Sequence, residues 1–224
     1  MRLPSPEHLW ERHEKLVLNV FMIALVKLQD ETNLPEDEPT LNELLYTLVR
    51  HSWCELPQNE KPIWSLSRNV ENPPRTREEI GQKWTRKRPD FRWSLSDSQE
   101  RDSSKAIREY TIECKRLRTR TKRDFINEYV VNGIVRFLTK EHKYGNGTVS
   151  GTMIGYIQNM EHSKALEEVN AVILKTNEFV IPIIKFTRNR QIINRIKKGN
   201  HTLSRKEIKP SIFDLRHIWM EVTN

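Results

Sequence analysis

The sequence has few cysteines and no long apolar run. Its two cysteines, Cys54 and Cys114, form neither a disulfide framework nor a CxxC metal site, and this usage is typical of a reducing compartment. The longest apolar stretch, Leu16–Val26, has eleven residues, against the roughly 20 that cross a bilayer. We therefore expect a cytoplasmic protein with no membrane span and no signal peptide.

Two further motifs are absent. The chain has no GxxxxGK[ST] phosphate loop, so a partner would have to supply any dependence on ATP. It also has no HxxxH pair, and the isolated positions of His201 and His217 argue against a histidine metal site.

What the chain has in excess is positive charge. The net charge is +8 and the calculated pI is about 9.5, a balance that favours a polyanionic partner, most commonly nucleic acid. The charge is uneven: residues 31–60 carry seven acids and one base, while residues 115–123 carry six bases and no acid. Residues 185–209 carry nine bases and one acid. A basic but inert surface is the alternative interpretation.

Helices and strands alternate along the chain. Helical spacing predicts helices over 6–29, 41–54 (with Thr40 as the cap), 127–139 and 163–175. Period-two segments predict strands at 63–66, 88–95, 109–117, 152–157, 179–186 and 212–222. This order predicts an α/β protein with a mixed central β-sheet flanked by helices. We expect 1–39 to be an appendage of one helix and an acidic loop, and 40–224 to be the main domain with basic C-terminal strands.

The strands 88–95 and 109–117 are predicted to form a hairpin around a Ser- and Asp-rich loop, 96–105. Alternation places Glu113 and Lys115 on one face of the second strand, opposite the face of Cys114. Pairing of the strands can bring Asp90 beside Glu113. Two carboxylates about 4 Å apart repel by on the order of 4 kcal/mol at an effective dielectric of 20. An oxygen-binding cation such as Mg²⁺ offsets that repulsion, and Lys115 adds a second positive charge.

Such a group has an obvious use in phosphodiester hydrolysis. The metal polarises the phosphate and lowers the pKa of a bound water, while the lysine orients that water or stabilises negative charge. The alternative is purely structural. Glu113 and Lys115 would then be an exposed ion pair, and Asp90 a turn residue after Pro89.

Pro89-Asp90 and Glu113-Cys114-Lys115, separated by strand, loop and strand and followed by a helix, resemble the PD-(D/E)xK superfamily of nucleases. The resemblance covers roughly residues 40 to 176. It implies a restriction-endonuclease-like fold with a catalytic hairpin, and Mg²⁺ as cofactor with Mn²⁺ as a substitute. It also implies that Asp90 and Glu113 bind the metal while Lys115 assists the attacking water.

The superfamily often adds an acidic residue from the helix before the sheet, and Glu43 is the candidate here. A competing interpretation is a capping box, Thr40 to Glu43, in which the glutamate bonds back to the cap. Glu14 and Glu79 are weaker candidates.

Basic residues at the end of this hairpin and later in the chain are candidates for phosphate contacts. One group directly follows the predicted site: Arg116, Arg118, Arg120, Lys122 and Arg123. Arg136 lies on the next predicted helix. A second group lies in the C-terminal third: Lys185, Arg188, Arg190, Arg195, Lys197 and Lys198. Contacts of this kind follow the backbone and make affinity fall steeply with salt; solvated basic faces are the alternative.

The leading hypothesis is a Mg²⁺-dependent DNA endonuclease. The segments 87–91 and 112–117, with Gly133 and Arg136, look similar to nucleases of bacterial anti-phage defence and restriction loci. An effector of such a system is expected to have a regulatory or sensor partner, because an unregulated nuclease damages its host. A non-catalytic basic nucleic-acid-binding subunit and an interaction protein that docks through residues 31–60 are the alternatives. RNA as substrate and a homo-oligomer both stay open.

Overall fold

The structure is a computed structural model and describes residues 6–72, 74, 76–96, 100–103, 105–119, 123–176, 179–186 and 195–222. Its α-helices are α1 (Pro6–Asp30), α2 (Glu38–Glu55), α3 (Phe125–Val131) and α4 (His162–Lys175). Its strands are β1 (Leu66–Arg68), β2 (Phe91–Ser96), β3 (Ile107–Arg118), β4 (Ser150–Gln158), β5 (Lys185–Phe186), β6 (Ile196–Ser204) and β7 (Ile212–Glu221).

The described strands form one sheet in the order β1-β2-β3-β4-β7-β6-β5. The central neighbours β3, β4 and β7 run parallel to one another, and the outer pairs are antiparallel. The prediction of an α/β protein with a mixed sheet is therefore confirmed. Every described residue of β4 is buried, as expected for a strand whose two faces are both covered by helices.

Helices cover both faces of this sheet. On one face, Phe21 of α1 packs against Phe91 and Trp93 of β2, with ring centroids 5.5 and 6.3 Å apart. On the other face, Tyr129 of α3 packs edge-on against Trp219 of β7, with centroids 5.6 Å apart. Alternate side chains of β3 enter the two layers, because successive residues of a strand point to opposite faces. None of the helices in the described part of the chain is long and apolar enough to cross a membrane.

The first helix is a layer of this core. Val17, Phe21 and Leu25 are fully buried in the same cluster as the side chains of β2 and β3. The predicted boundary at residue 39 falls inside the first turn of α2, and the division of the chain into 1–39 and 40–224 stays a prediction.

The start of α2 differs from the prediction, and this difference matters for the site. The cap is Asp37, whose Oδ1 accepts from the backbone N–H of Thr40 at 3.0 Å; the assignment of Thr40 as cap was wrong. Pro39 fits within the first turn because the first N–H groups of a helix need no intrahelical acceptor. Glu38 therefore opens the helix instead of lying in a loop.

The bounds of other predicted helices and strands also differ from those in the structure. The predicted helix 127–139 is two pieces, α3 and a 3-10 turn, Ile134–Phe137. They meet at Gly133, where a Cβ would lie 2.3 Å from the carbonyl oxygen of Tyr129. The predicted strand 179–186 is limited to β5, and β6 was missed because lysine, asparagine and histidine interrupt its apolar alternation. The predicted strand 63–66 lies at 66–68.

A substitution in α1 tests whether this helix belongs to the core. Phe21→Ala should destabilise the protein by about 3–5 kcal/mol in chemical denaturation, since it removes a fully buried ring. Leu9→Ala on the same helix is the control, because that side chain is 40% exposed; it should cost under about 1 kcal/mol. Equal, small effects of both substitutions would show that α1 is dispensable.

Candidate active site

The hairpin of β2 and β3 brings the predicted acids together. Phe91 pairs with Ile112 in the antiparallel register, so Asp90, the residue before β2, comes opposite Glu113. The backbone N–H of Cys114 donates to Asp90 Oδ2 at 2.7 Å. Ile112 and Cys114 are buried in the layer under α1 and α2, which leaves Glu113 and Lys115 on the opposite side of the strand.

Lys115 lies between three carboxyl groups. Its Nζ is 2.8 Å from Glu113 Oε1, 2.9 Å from Glu38 Oε1 and 3.9 Å from Asp90 Oδ2. It also donates to the carbonyl oxygen of Cys114 at 2.6 Å. The side chain is 9% exposed, so the ammonium group is held among these oxygens with little access to bulk water.

Glu38 is a member of the site that the sequence did not indicate. It stands at the first position of α2, where its Oε2 also accepts from the backbone N–H of Arg116 at 3.2 Å. The sequence candidate from this helix was Glu43. In the structure Glu43 is exposed and accepts from Arg68 Nη2 at 3.0 Å, and none of its described contacts joins it to Asp90.

Glu113 is the most deeply buried of the three acids. Its side chain is 1% exposed, and Arg136 Nη1 lies 2.5 Å from its Oε1. The break at Gly133 places Arg136 on the 3-10 turn that faces β3. The second oxygen, Oε2, is buried and has no hydrogen-bond partner among the described residues. An ionised oxygen in that condition is costly unless a cation or proton reaches it.

Asp90 is held by two donors and is still hard to ionise. Besides the Cys114 amide, Asn42 Nδ2 donates to its Oδ1 at 3.0 Å, and Tyr156 fixes the Asn42 amide by donating to Asn42 Oδ1 at 2.9 Å. Burial raises the pKa of Asp90 to about 8, with further increases from the charges of Glu113 and Glu38. Lys115 and the Cys114 amide act in the opposite direction but are outweighed.

We call Glu38, Asp90, Glu113, Lys115 and Arg136 the Lys115 cluster. With every member ionised, three carboxylates face two cations, so one negative charge is in excess. In a poorly solvated region that excess must be neutralised. A proton on Asp90 does this at neutral pH, and an added cation would do it equally well.

The chemistry of the cluster fits a hard divalent cation. Its possible ligands are carboxylate oxygens, and Oε2 of Glu113 is a buried acceptor without a donor among the described residues. In the described part of the chain, no group of three or more His, Cys, Asp or Glu side chains is arranged to hold a metal ion by itself. Mg²⁺ does not need one, because it usually retains several waters and binds one or two carboxylates together with substrate phosphates. Asp90 and Glu113 are the two carboxylates that would hold it.

The described basic residues at the end of β3 and just beyond it are engaged by other residues. Arg116 Nη1 donates to the carbonyl oxygen of Glu36 at 2.9 Å, and Arg118 Nη1 donates to the Glu36 carboxylate at 3.0 Å. Arg123 is ion-paired with Glu128. The segment 36–38 therefore lies against the residues predicted to grip phosphates. Four predicted contacts lie outside the described residues: Arg120, Lys122, Arg188 and Arg190.

The remaining basic candidates lie far from the Lys115 cluster in the sheet. Lys197 and Lys198 are on β6, which β4 and β7 separate from β3. Lys185 is on β5, at the end of the sheet beyond β6, and Arg195 Nε lies 4.0 Å from Glu221. A nucleic acid bound at the cluster would have to extend across the sheet to reach this group.

The other sequence candidates have structural partners. Glu14 is buried against Arg216 and accepts from Ser150 at 2.8 Å, and Glu79 lies 3.7 Å from Lys143. His201 and His217 face each other through Nε2 atoms 3.5 Å apart. Burial lowers the pKa of both rings, to about 4 for His201. His201 Nδ1 donates to the carbonyl oxygen of Pro182, and His217 Nδ1 is hydrogen-bonded to the Tyr129 hydroxyl.

Comparison with known proteins gives no relative: no protein-family model, curated protein or solved structure matches this chain. The Lys115 cluster is accordingly identified from its contacts, burial and charge.

The raised pKa of Asp90 predicts an unusual dependence of stability on pH. The folded protein keeps the Asp90 proton up to about pH 8, whereas the unfolded chain releases it near 3.8. The folded state thus binds more protons between these values, so this residue makes stability fall as pH rises through that window. Without metal, the melting temperature of Asp90→Asn minus that of the wild type should increase steadily from about pH 4 to pH 8.

Subtracting the melting temperature of the wild type from that of Asp90→Asn cancels the contribution of the buried histidines. Their lowered pKa values make stability rise with pH, in the opposite direction to Asp90. Asp30→Asn makes the same chemical change at an exposed position and should show no such trend. A flat difference for Asp90→Asn would mean that Asp90 ionises normally in the folded protein.

Proposed function

We propose that the protein is a Mg²⁺-dependent nuclease of the restriction-endonuclease-like type, with the Lys115 cluster as its active site and DNA as its substrate. The observation that carries this proposal is the excess of one negative charge around Lys115, together with the unpaired Oε2 of Glu113. A site with those properties is prepared for a divalent cation, and the net charge of +8 suits a polyanionic substrate. Membership of an anti-phage defence or restriction system, with a regulatory partner, is the part of the proposal supported by sequence resemblance alone.

Asp90 and Glu113 would hold the cation through their carboxylate oxygens. When bound, Mg²⁺ supplies Lewis-acid polarisation of the scissile phosphate and lowers the pKa of a coordinated water. Asn42 and Arg136 keep the two carboxylates in position, by bonds of 3.0 Å to Asp90 and 2.5 Å to Glu113. Removing such supporting contacts typically reduces metal affinity or activity by about 10- to 100-fold.

Lys115 acts as a permanent cation in this scheme. Burial lowers the pKa of its ammonium group, but the carboxylates of Glu113, Asp90 and Glu38 outweigh burial and raise it above its ordinary value. A lysine that stays protonated cannot serve as a general base at neutral pH. Its role is to orient the attacking water and to stabilise the negative charge that develops on the phosphate. Glu38 is a positioning residue, since its Oε1 accepts from Lys115 Nζ at 2.9 Å while its Oε2 is fixed by the backbone N–H of Arg116.

Metal-dependent cleavage is the first test. The wild-type protein should cut duplex DNA with Mg²⁺ and stop when EDTA is added. Glu113→Gln and Lys115→Met should each reduce the rate by about 100-fold or more, because they remove a metal ligand and a transition-state charge. Glu43→Gln is a matched control: it lies on α2 but outside the cluster, and its rate should stay within about twofold of the wild type.

Glu113→Gln removes the excess negative charge, so this variant is expected to fold, which circular dichroism and a melting curve would verify. Cleavage by folded Glu113→Gln protein at the wild-type rate contradicts the proposal. Mg²⁺-independent binding of DNA without cleavage would instead favour a non-catalytic nucleic-acid-binding subunit.

A second test measures metal binding through protein stability, independently of cleavage. Mg²⁺ at about 100 times its dissociation constant should stabilise the protein by about 2.7 kcal/mol. The increase in melting temperature should grow as pH rises towards about 8, because the cation competes with the proton of Asp90. Asp90→Asn should show a smaller increase with no pH trend. An equal, pH-independent increase in both proteins would place the metal elsewhere.

A further inference from the structure

The sequence indicates the basic residues from Arg116 to Arg123 as phosphate contacts beside the Lys115 cluster. Of the basic residues at the end of β3 and just beyond it, the described ones have partners. Arg116 donates to the backbone carbonyl oxygen of Glu36, Arg118 donates to the Glu36 carboxylate, and Arg123 is ion-paired with Glu128. A polyanion would have to compete with these contacts for the three arginines. Exposed cations without such contacts lie on another side of the cluster.

A basic groove lies in the segment before Asp90. It has a volume of about 320 Å³ and is lined by Gly81, Lys83, Arg86 and Lys87; we call it the Lys83 groove. The side chains of Lys83 and Arg86 are exposed, and neither makes a side-chain hydrogen bond or an ion pair with the residues that the structure describes. The pKa of Glu141 is lowered by its contact with Lys87 and, to a smaller degree, by the charge of Lys83. Lys87 lies 3.3 Å from Glu141, whose side chain is 58% exposed. Gly81 adopts φ +82°, and a Cβ there would meet no atom within 4 Å, so the groove is open at this point.

The groove is built on an ordered support. Trp84, on the same 3-10 turn as Lys83 and Arg86, is buried. Asn72 fixes this turn through two hydrogen bonds. Its Nδ2 donates to the carbonyl oxygen of Trp84 at 3.1 Å, and its backbone N–H donates to that of Lys87 at 3.0 Å. Lys143 covers the Trp84 ring, with its Nζ 4.6 Å from the centroid. Cations presented from a fixed backbone lose less freedom on binding a ligand than those on a mobile loop.

The Lys83 groove is next to the Lys115 cluster. Lys87 precedes Asp90 by three residues. His142 connects the two regions. Its carbonyl oxygen accepts from Asn72 Nδ2 at 3.3 Å, and its ring packs edge-on against Tyr144, whose ring centroid lies 6.0 Å from Arg136 Cζ. A small cleft lined by Trp84, Lys143 and Thr111 continues along β3, on the strand face that carries Glu113.

We propose that the Lys83 groove binds the phosphate backbone of the nucleic-acid substrate and directs it to the Lys115 cluster. This inference rests on the proposed function and specifies the surface it uses. Exposed lysine and arginine side chains in an open groove contact phosphate oxygens without reading bases, so the contribution is independent of sequence and strongly dependent on salt.

The test is a salt titration of binding by the full-length protein to a fluorescein-labelled DNA duplex, in EDTA so that no cleavage occurs. Lys83→Ala/Arg86→Ala removes two phosphate contacts and should reduce the slope of log affinity against log salt by about 1.8. Between about 50 and 200 mM salt this corresponds to roughly 12-fold less loss of affinity than in the wild type. Lys87 is left intact because of its contact with Glu141.

The matched control is Lys15→Ala/Arg50→Ala. Both residues are exposed, on α1 and α2 of the opposite layer, and their removal changes the net charge by the same amount. The control should keep the wild-type slope. An unchanged slope for Lys83→Ala/Arg86→Ala, or an equal reduction in the control, overturns the proposal, as does a wild-type protein that binds no duplex.

Failure of this inference is distinguishable from failure of the proposed function. If the wild-type protein binds DNA through the Lys83 groove but does not cleave it with Mg²⁺, the groove is supported and the nuclease function is rejected. Cleavage that Lys83→Ala/Arg86→Ala does not slow at low substrate concentration supports the nuclease and rejects the groove. A parallel titration with an RNA duplex of the same sequence shows whether DNA or RNA has the steeper salt slope with the wild-type protein. Lys83→Ala/Arg86→Ala should reduce the slope measured with RNA as well.

Discussion

The arrangement of the site depends on the ammonium group of Lys115 and the three carboxyl groups around it. Glu38, Asp90 and Glu113 come from the start of α2, the start of β2 and the middle of β3, and they converge on one nitrogen. Without that cation the carboxylates would repel one another in a region with little water. The same contacts join the α2 layer to the central strand, and Arg136 joins the opposite layer to Glu113.

The two cations of the cluster do not balance its three carboxylates. The uptake of a proton, of a metal ion and of the substrate would therefore depend on one another. A proton on Asp90 neutralises the excess at neutral pH, and a divalent cation would displace it. Charges around the cluster are also distributed unevenly. Glu36 and Glu128 form ion pairs with Arg118 at the end of β3 and with Arg123 beyond it, whereas the side chains of Lys83 and Arg86 are exposed. In the proposed nuclease, positive charge would therefore attract phosphates on one side of the cluster, while acids would oppose them on the other.

Sequence periodicity was sufficient for the parts of this site that lie on regular strands. The alternation of residues 110–115 placed Glu113 and Lys115 on one face and Cys114 in the core, and strand pairing brought Asp90 opposite Glu113. It failed at Glu38 because the helix start was misplaced by the Thr40 signal, when Asp37 is the cap. It also failed at Lys83 and Arg86, whose proximity to the cluster depends on tertiary contacts of Asn72 and Trp84. Those contacts have no periodic signal in the sequence.

The most direct measurement is the pKa of the Asp90 carboxyl group, from its ¹³C chemical shift in labelled protein titrated with and without Mg²⁺. Without metal the titration should centre near 8. With saturating Mg²⁺ it should move well towards the ordinary value, because the bound cation favours the ionised form. A titration near 3.8 in both conditions would contradict the account, since Asp90 would then carry a charge that neither the proton nor the metal is needed to offset.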